Sequence, residues 1–220
     1  RNVAENLARL GLPAQLISAV GDDAAGHALL AGAAEAGLST QGTLVAAGEI
    51  TGRYTAVLDE AGAMVLALAA MPLAERLTPE FLRKSSAQRL QARLIVLDLN
   101  LPADSLALLL QEARNTAAIV VAVAVSEPKM ARLPQDLRGL HGLILNRGEL
   151  HACAAPGHSE QQALADLHQR GVRQLIVAGG ETSGACVQAL GIAQMRIGGQ
   201  IDPGVPWCFA ASDVAPEGLH

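Results

Sequence analysis

Aromatic side chains are almost absent from this sequence: one Trp, one Tyr and two Phe, 2% of 220 residues. Tyr54, Phe81, Trp207 and Phe209 therefore cannot carry a core, although half of the chain is hydrophobic. The interior must be built from Leu, Val, Ile and Ala, and many helices should present Ala and Leu faces. Charge is also sparse, at 17%, and 16 basic against 21 acidic residues leave a net charge of -5. With no cluster of Lys and Arg beside the few aromatics, there is no stacking platform for bases, and nucleic acid is excluded as the expected partner. Cys153, Cys186 and Cys208 are three and widely spaced, which is neither an even disulfide framework nor the paired spacing of a zinc site. Buried free thiols are expected. Long apolar runs are missing too. The most apolar stretches, 117–125 and 64–71, stop after nine and eight residues, against the ~20 that a bilayer span needs, so no membrane segment is expected. Arg1 opens the sequence without a charged and then apolar leader, which reads as an absent N-terminus rather than a signal peptide, with the cytoplasm as the expected compartment.

What is present is an alternation of apolar periods. Val3, Leu7 and Leu10 recur at helical spacing up to Gly11, a residue suited to the left-handed turn that ends a helix. A strand is expected over 14–20 and a helix over 24–36. Strands over 53–59 and 64–70 should form a hairpin turning at 60–62. Further strands are expected over 94–97, 118–125, 142–145 and 174–178, with helices over 103–115, 161–170 and about 182–190. Strands alternating with helices predict an α/β fold, a mainly parallel sheet flanked by helices with a small β lid hairpin. The small residues, Pro156 and Gly157 within 151–159 mark a loop and the best place for a junction between two segments.

Three motifs could carry chemistry. Gly21-Asp22-Asp23-Ala24-Ala25-Gly26 lies between a strand and a helix, and alone it reads as a turn with an Asp N-cap. Asn146-Arg147-Gly148-Glu149 follows a strand. It is either a helix cap or an amide and a carboxylate at a parallel strand end, able to orient metal-bound waters around a triphosphate. Val177-Ala178-Gly179-Gly180-Glu181-Thr182-Ser183-Gly184-Ala185 ends a strand in two glycines. Backbone can approach a phosphate there, and Thr182 and Ser183 add hydroxyls at the next helix start; a purely structural turn is the other reading. The six histidines never fall at the spacing of a helical metal pair, and Asp98 beside Asn100 and Pro102 reads as a turn residue.

Residues 1–155 together resemble the ribokinase/PfkB family of sugar kinases, pseudouridine kinases in particular. Asn2, Ala4, Leu10, Gly11, Gly21 and Asp23 match its first signature, residues 51–71 are similar to its lid hairpin, and Leu97-Asp98-Leu99-Asn100-Leu101-Pro102 to an Asp-x-Asn-Leu-Pro turn. The resemblance implies a ribokinase-like fold, here incomplete, and transfer of the ATP γ-phosphate to a sugar hydroxyl. It implies Asn2 as a contact to the sugar of a small-molecule sugar or nucleoside, Tyr54 and Thr55 on the lid as further substrate contacts, and Asn146 with Glu149 as the pair that places Mg2+ and the phosphates. The family's Gly-Ala-Gly-Asp motif, which supplies the base and an anion hole, has no match in the sequence, so no catalytic base is assigned and impaired activity is expected. Residues 159–212 resemble instead the nucleotide-binding domain of four-carbon acid sugar kinases, through the Gly-Gly-Glu-Thr-Ser-Gly run and Ile201-Asp202-Pro203-Gly204-Val205-Pro206. That implies Gly179, Gly180, Thr182, Ser183 and Gly184 as nucleotide contacts. The expected organisation is a sugar kinase segment over 1–157 and a nucleotide-binding-like segment over 158–220. The alternatives are an ATP-dependent kinase and a non-catalytic fused or truncated remnant that folds and binds nucleotide or a partner. The resemblance also implies that the family's Asp-bearing strand before the Asn2 helix would lie ahead of Arg1, and a sheet lacking that strand would expose an edge on which a second copy could pair, which makes a homo-oligomer a further reading.

Overall fold

The computed structural model describes residues 1–172, 174–177, 195–202 and 205–210. The chain divides into two compact units, Arg1–Arg89 with Asn100–Ser105, and Leu90–Leu99 with Leu106–His220.

In the first unit, helix α1 (Asn2–Arg9) is braced by Glu5, which pairs with Arg1 and Arg9, each one helical turn away. Gly11 stands just past its end at φ +81°, and the Gly11 and Leu12 amides donate to the Ala8 and Leu7 carbonyls. The helix thus stops where the sequence predicts, by a left-handed glycine closing the last turn. Strand β1 (Ala19–Gly21) follows and, after α2 (Ala24–Glu35), pairs in parallel with β2 (Leu44–Ala46). The strand expected over 14–20 is realised only at its end. Upstream there is a single bridge, Gln15 to Ser39, because the partner chain turns at Thr40, whose carbonyl accepts from the Thr43 amide, and a ladder needs a continuous partner. Strands β3 (Arg53–Leu58) and β4 (Met64–Ala70) form the expected antiparallel hairpin. Its turn is held by Asp59, whose Oδ1 accepts from the Ala61 and Ala63 amides, with Gly62 at φ +81°. Every residue of β3 is exposed. The apolar pattern does not announce helices α3 (Pro79–Arg83) and α4 (Ser86–Leu90), which at five residues each are too short to show a period.

The second unit is a four-stranded parallel sheet in the order β5-β6-β7-β8, formed by β5 (Leu94–Asp98), β6 (Ile119–Val123), β7 (Gly142–Leu145) and β8 (Gln174–Val177), with α5 (Ala103–Ala113) between β5 and β6. Helices α6 (Arg147–Cys153) and α7 (Glu160–Gln169) join β7 to β8. The core is aliphatic, as the shortage of aromatics requires: Leu143, Leu145, Val120, Ala122, Leu106, Leu110, Leu150 and Leu167 are all buried. The loop expected over 151–159 is shorter, because α6 takes its first three residues. All four residues of β8 pair with β7, so the segment after the expected junction continues the same sheet. An antiparallel pair, β9 (Met195–Asp202) with β10 (Val205–Ala210), is likewise not foreseen from the pattern, its signal diluted by Gly198, Gly199 and Pro206. Among the described residues no helix is long and apolar enough to cross a membrane.

Candidate functional site

The carboxyl ends of parallel strands are where α/β sheets bind ligands, and β7 ends directly in Asn146. The Asn146 side chain accepts from the Glu149 amide at 2.9 Å, and Glu149 Oε2 accepts from the Asn146 amide at 2.8 Å. This is a reciprocal capping box that starts α6. The cap reading of this motif is therefore realised, and it brings together the two residues that the kinase reading also needs. Glu149 is only 5% exposed, so its carboxylate is fixed rather than swinging in solvent. Glu127, after β6, lies over the first turn of α6: a Cβ on Gly148 would come within 2.9 Å of the Glu127 Cδ, so this position admits no side chain without displacing that carboxylate.

Among the described residues no three His, Cys, Asp or Glu side chains converge to hold a metal ion. That donor set does not suit a metal caged entirely by protein. It does fit Mg2+, which dehydrates reluctantly and is held through its waters, substrate phosphates and one or two carboxylates. Glu149 and Asn146 are the residues that would face such waters.

In the first unit, Asn2 is exposed in the first turn of α1. Tyr54 and Thr55 are both exposed on β3, opposite Ala69 and Leu68. The half-buried position that an ordinary strand residue would take is not what the ribbon provides. Successive strand residues point to opposite faces, so only one of the two can face a given ligand. Gly179, Gly180, Thr182, Ser183 and Gly184 lie outside the described residues.

The Gly21–Gly26 turn has a partner that the sequence does not advertise. Asp23 caps α2 by accepting from the Gly26 amide at 2.8 Å, and it also accepts from the amide and the hydroxyl of Thr51. The buried Thr51 hydroxyl in turn accepts from the Gly21 amide at 3.0 Å. The two glycines are needed for close approach rather than for special torsions. A Cβ at Gly21 would stand 2.6 Å from the Thr51 nitrogen, and one at Gly26 would stand 2.8 Å from its hydroxyl. The Thr51 hydroxyl, with the Gly26 and Thr51 amides, stabilises the charged Asp23 carboxylate and lowers its pKa to about 2. Because the folded value lies below the ordinary one of 3.8, this contribution to stability is complete above the ordinary value and is lost as pH falls through about 2. In thermal unfolding from pH 5 to pH 2, wild type should exceed Asp23→Asn at the upper end, and the gap should close towards pH 2; a constant gap would remove the role of the charge.

Both resemblances are met by known proteins. The pfkB family carbohydrate kinase pattern matches residues 1–196. Pseudouridine kinase from Escherichia coli (strain K12) is 33% identical over 184 residues, covering 82% of this chain and 58% of that protein. A 3-oxo-tetronate kinase from Cupriavidus necator is 43% identical over 110 residues, 47% of this chain and 24% of that enzyme. Among solved structures, a carbohydrate kinase from Agrobacterium tumefaciens superposes with a TM-score of 0.68 at 29% identity, over 81% of this chain and 57% of that one. The chain thus spans under two thirds of the length of these relatives. With the family pattern running through most of the chain and a parallel sheet in which an inner strand ends in the Asn-x-x-Glu turn, the chain belongs to the pfkB family of carbohydrate kinases.

Proposed function

We propose that this chain carries a nucleotide site for ATP-dependent phosphorylation of a sugar hydroxyl, with pseudouridine or a similar nucleoside as substrate. The observation that carries the reading is the capping box at the end of β7, which holds a nearly buried carboxylate at the ligand-binding edge of the sheet of a pfkB-family chain. Phosphoryl transfer rests on positioning and on neutralising charge. Mg2+ would supply that neutralisation, while Glu149 and Asn146 orient its waters. Asn2 and one of Tyr54 and Thr55 would contact the nucleoside. The similarity of pseudouridine kinase supports the substrate class. The 3-oxo-tetronate kinase similarity, over 47% of the chain, supports a second relationship beside the first, in which Gly179, Gly180, Thr182, Ser183 and Gly184 would line the phosphates.

Titration calorimetry of the purified chain with Mg2+ and adenylyl imidodiphosphate, with and without pseudouridine, tests this. Micromolar binding that the nucleoside tightens is the expected result. A folded protein that takes up no nucleotide would overturn the reading and leave a non-catalytic kinase remnant.

A further inference from the structure

Helix α6, which carries Glu149, has only seven residues. A helix of that length does not hold itself in place, so its orientation depends on what it is fastened to. One fastening is the buried Leu150. Another comes from α7. The Glu160 carboxylate accepts from Arg147 Nε at 2.5 Å and from His151 Nε2 at 3.0 Å. Arg147 and His151 are four residues apart and so lie on one face of α6, flanking the turn that contains Glu149.

A single exposed ion pair contributes little, but this arrangement differs in two respects. Glu160 is 16% exposed at its side chain, and one oxygen serves two donors on the same helix, so the carboxylate grips a face rather than a single mobile side chain. Its charge is favoured as well. The Arg147 guanidinium, with a smaller contribution from His151, holds the carboxyl below the ordinary carboxylate range against the opposing effect of burial. The platform beneath Glu160 is rigid. Ser159 and Gln162 form a capping box at the start of α7, and Ala163 and Leu167 are buried. At the far end Arg170 donates to the Pro134 and Gln135 carbonyls at 2.8 and 3.1 Å, while its own carbonyl accepts from the Leu137 amide.

We infer that Glu160 is a positioning residue for the Asn146–Glu149 turn: it acts through Arg147 and His151 to hold the Glu149 carboxylate where metal-bound waters would meet it. The inference rests on the nucleotide reading above. It also means that a residue of the segment beyond the expected junction, at the start of 158–220, supports the site of the segment before it.

Two variants test this in the whole chain. Glu160→Ala removes the grip, whereas Glu160→Gln keeps an acceptor of the same shape. Hydrogen exchange at the Glu149 and Leu150 amides, which close the first turn of α6, should accelerate about tenfold in Glu160→Ala through local opening, with the amides of β6 and β7 unchanged. Gln should restore most of the protection. Binding of Mg2+ with adenylyl imidodiphosphate should weaken about five- to tenfold in Glu160→Ala and less in Glu160→Gln, an effect of the size expected when a charge-assisted hydrogen bond is removed. Unchanged exchange at these two amides would overturn the inference. So would faster exchange with unchanged Mg2+-dependent affinity, since the grip would then be structural only. If wild type binds no nucleotide, the nucleotide reading fails and the positioning role falls with it, while the exchange result still decides whether Glu160 holds the turn.

Discussion

Glu149→Gln should leave the fold intact and weaken Mg2+-dependent nucleotide binding by about tenfold or more, the scale expected when a fixed carboxylate no longer bears its charge towards a cation's waters. The substitution separates the capping role seen in the structure from the role proposed towards the cation. As a capping residue, Glu149 uses a single oxygen to accept from the Asn146 amide, and Gln can do the same, since capping boxes take either residue. As a partner for metal-bound waters it needs its negative charge, which Gln lacks. Thermal unfolding should therefore change little, while the affinity for adenylyl imidodiphosphate should lose its response to Mg2+. Affinity without Mg2+ should be nearly the same in both proteins. If Mg2+ dependence persists in the variant, Glu149 is a helix cap and nothing more.

Leu143→Ala should cost about 3 kcal/mol of unfolding free energy, within the roughly 2–5 kcal/mol typical of buried leucines cut to alanine. Leu143 has no exposed surface. It sits on a strand paired on both sides, opposite Ala122 in β6 and Leu175 in β8, so the backbone cannot close around the void. The loss is a large share of the roughly 5–15 kcal/mol that usually separates folded from unfolded domains. It should appear as a lower urea midpoint with an unchanged slope. Because Leu143 lies on β7 three residues before Asn146, which follows the strand directly, the variant should also loosen the capping box, seen as faster exchange of the Glu149 amide. A cost below about 1 kcal/mol would mean that the sheet relaxes into the cavity, contrary to the packing expected of a strand held on both sides.

The alternation of strands and helices, the aliphatic core, the end of α1 at Gly11, the lid hairpin with its turn at Gly62, and the kinase family can all be read along the chain. Each is written in a local signal: a period of two or of 3.6, a glycine where φ must be positive, or a motif with fixed spacing. The Asn146–Glu149 pair is legible for the same reason, since its partners are three residues apart. Long-range pairing settles the rest. Strand β1 is cut short because its partner turns away at Thr40. Tyr54 and Thr55 stand exposed because no layer covers the ribbon in its own unit. Thr51, thirty residues from Gly21, completes the turn around Asp23, and no spacing rule announces a partner so far along the chain. Glu160 is of the same kind: in sequence it is one acidic residue near a helix start, and only when α7 packs beside α6 does its carboxylate reach Arg147 and His151 together. Propensity and period act between neighbours along the chain, whereas a site is assembled from side chains that meet only once the chain has closed on itself.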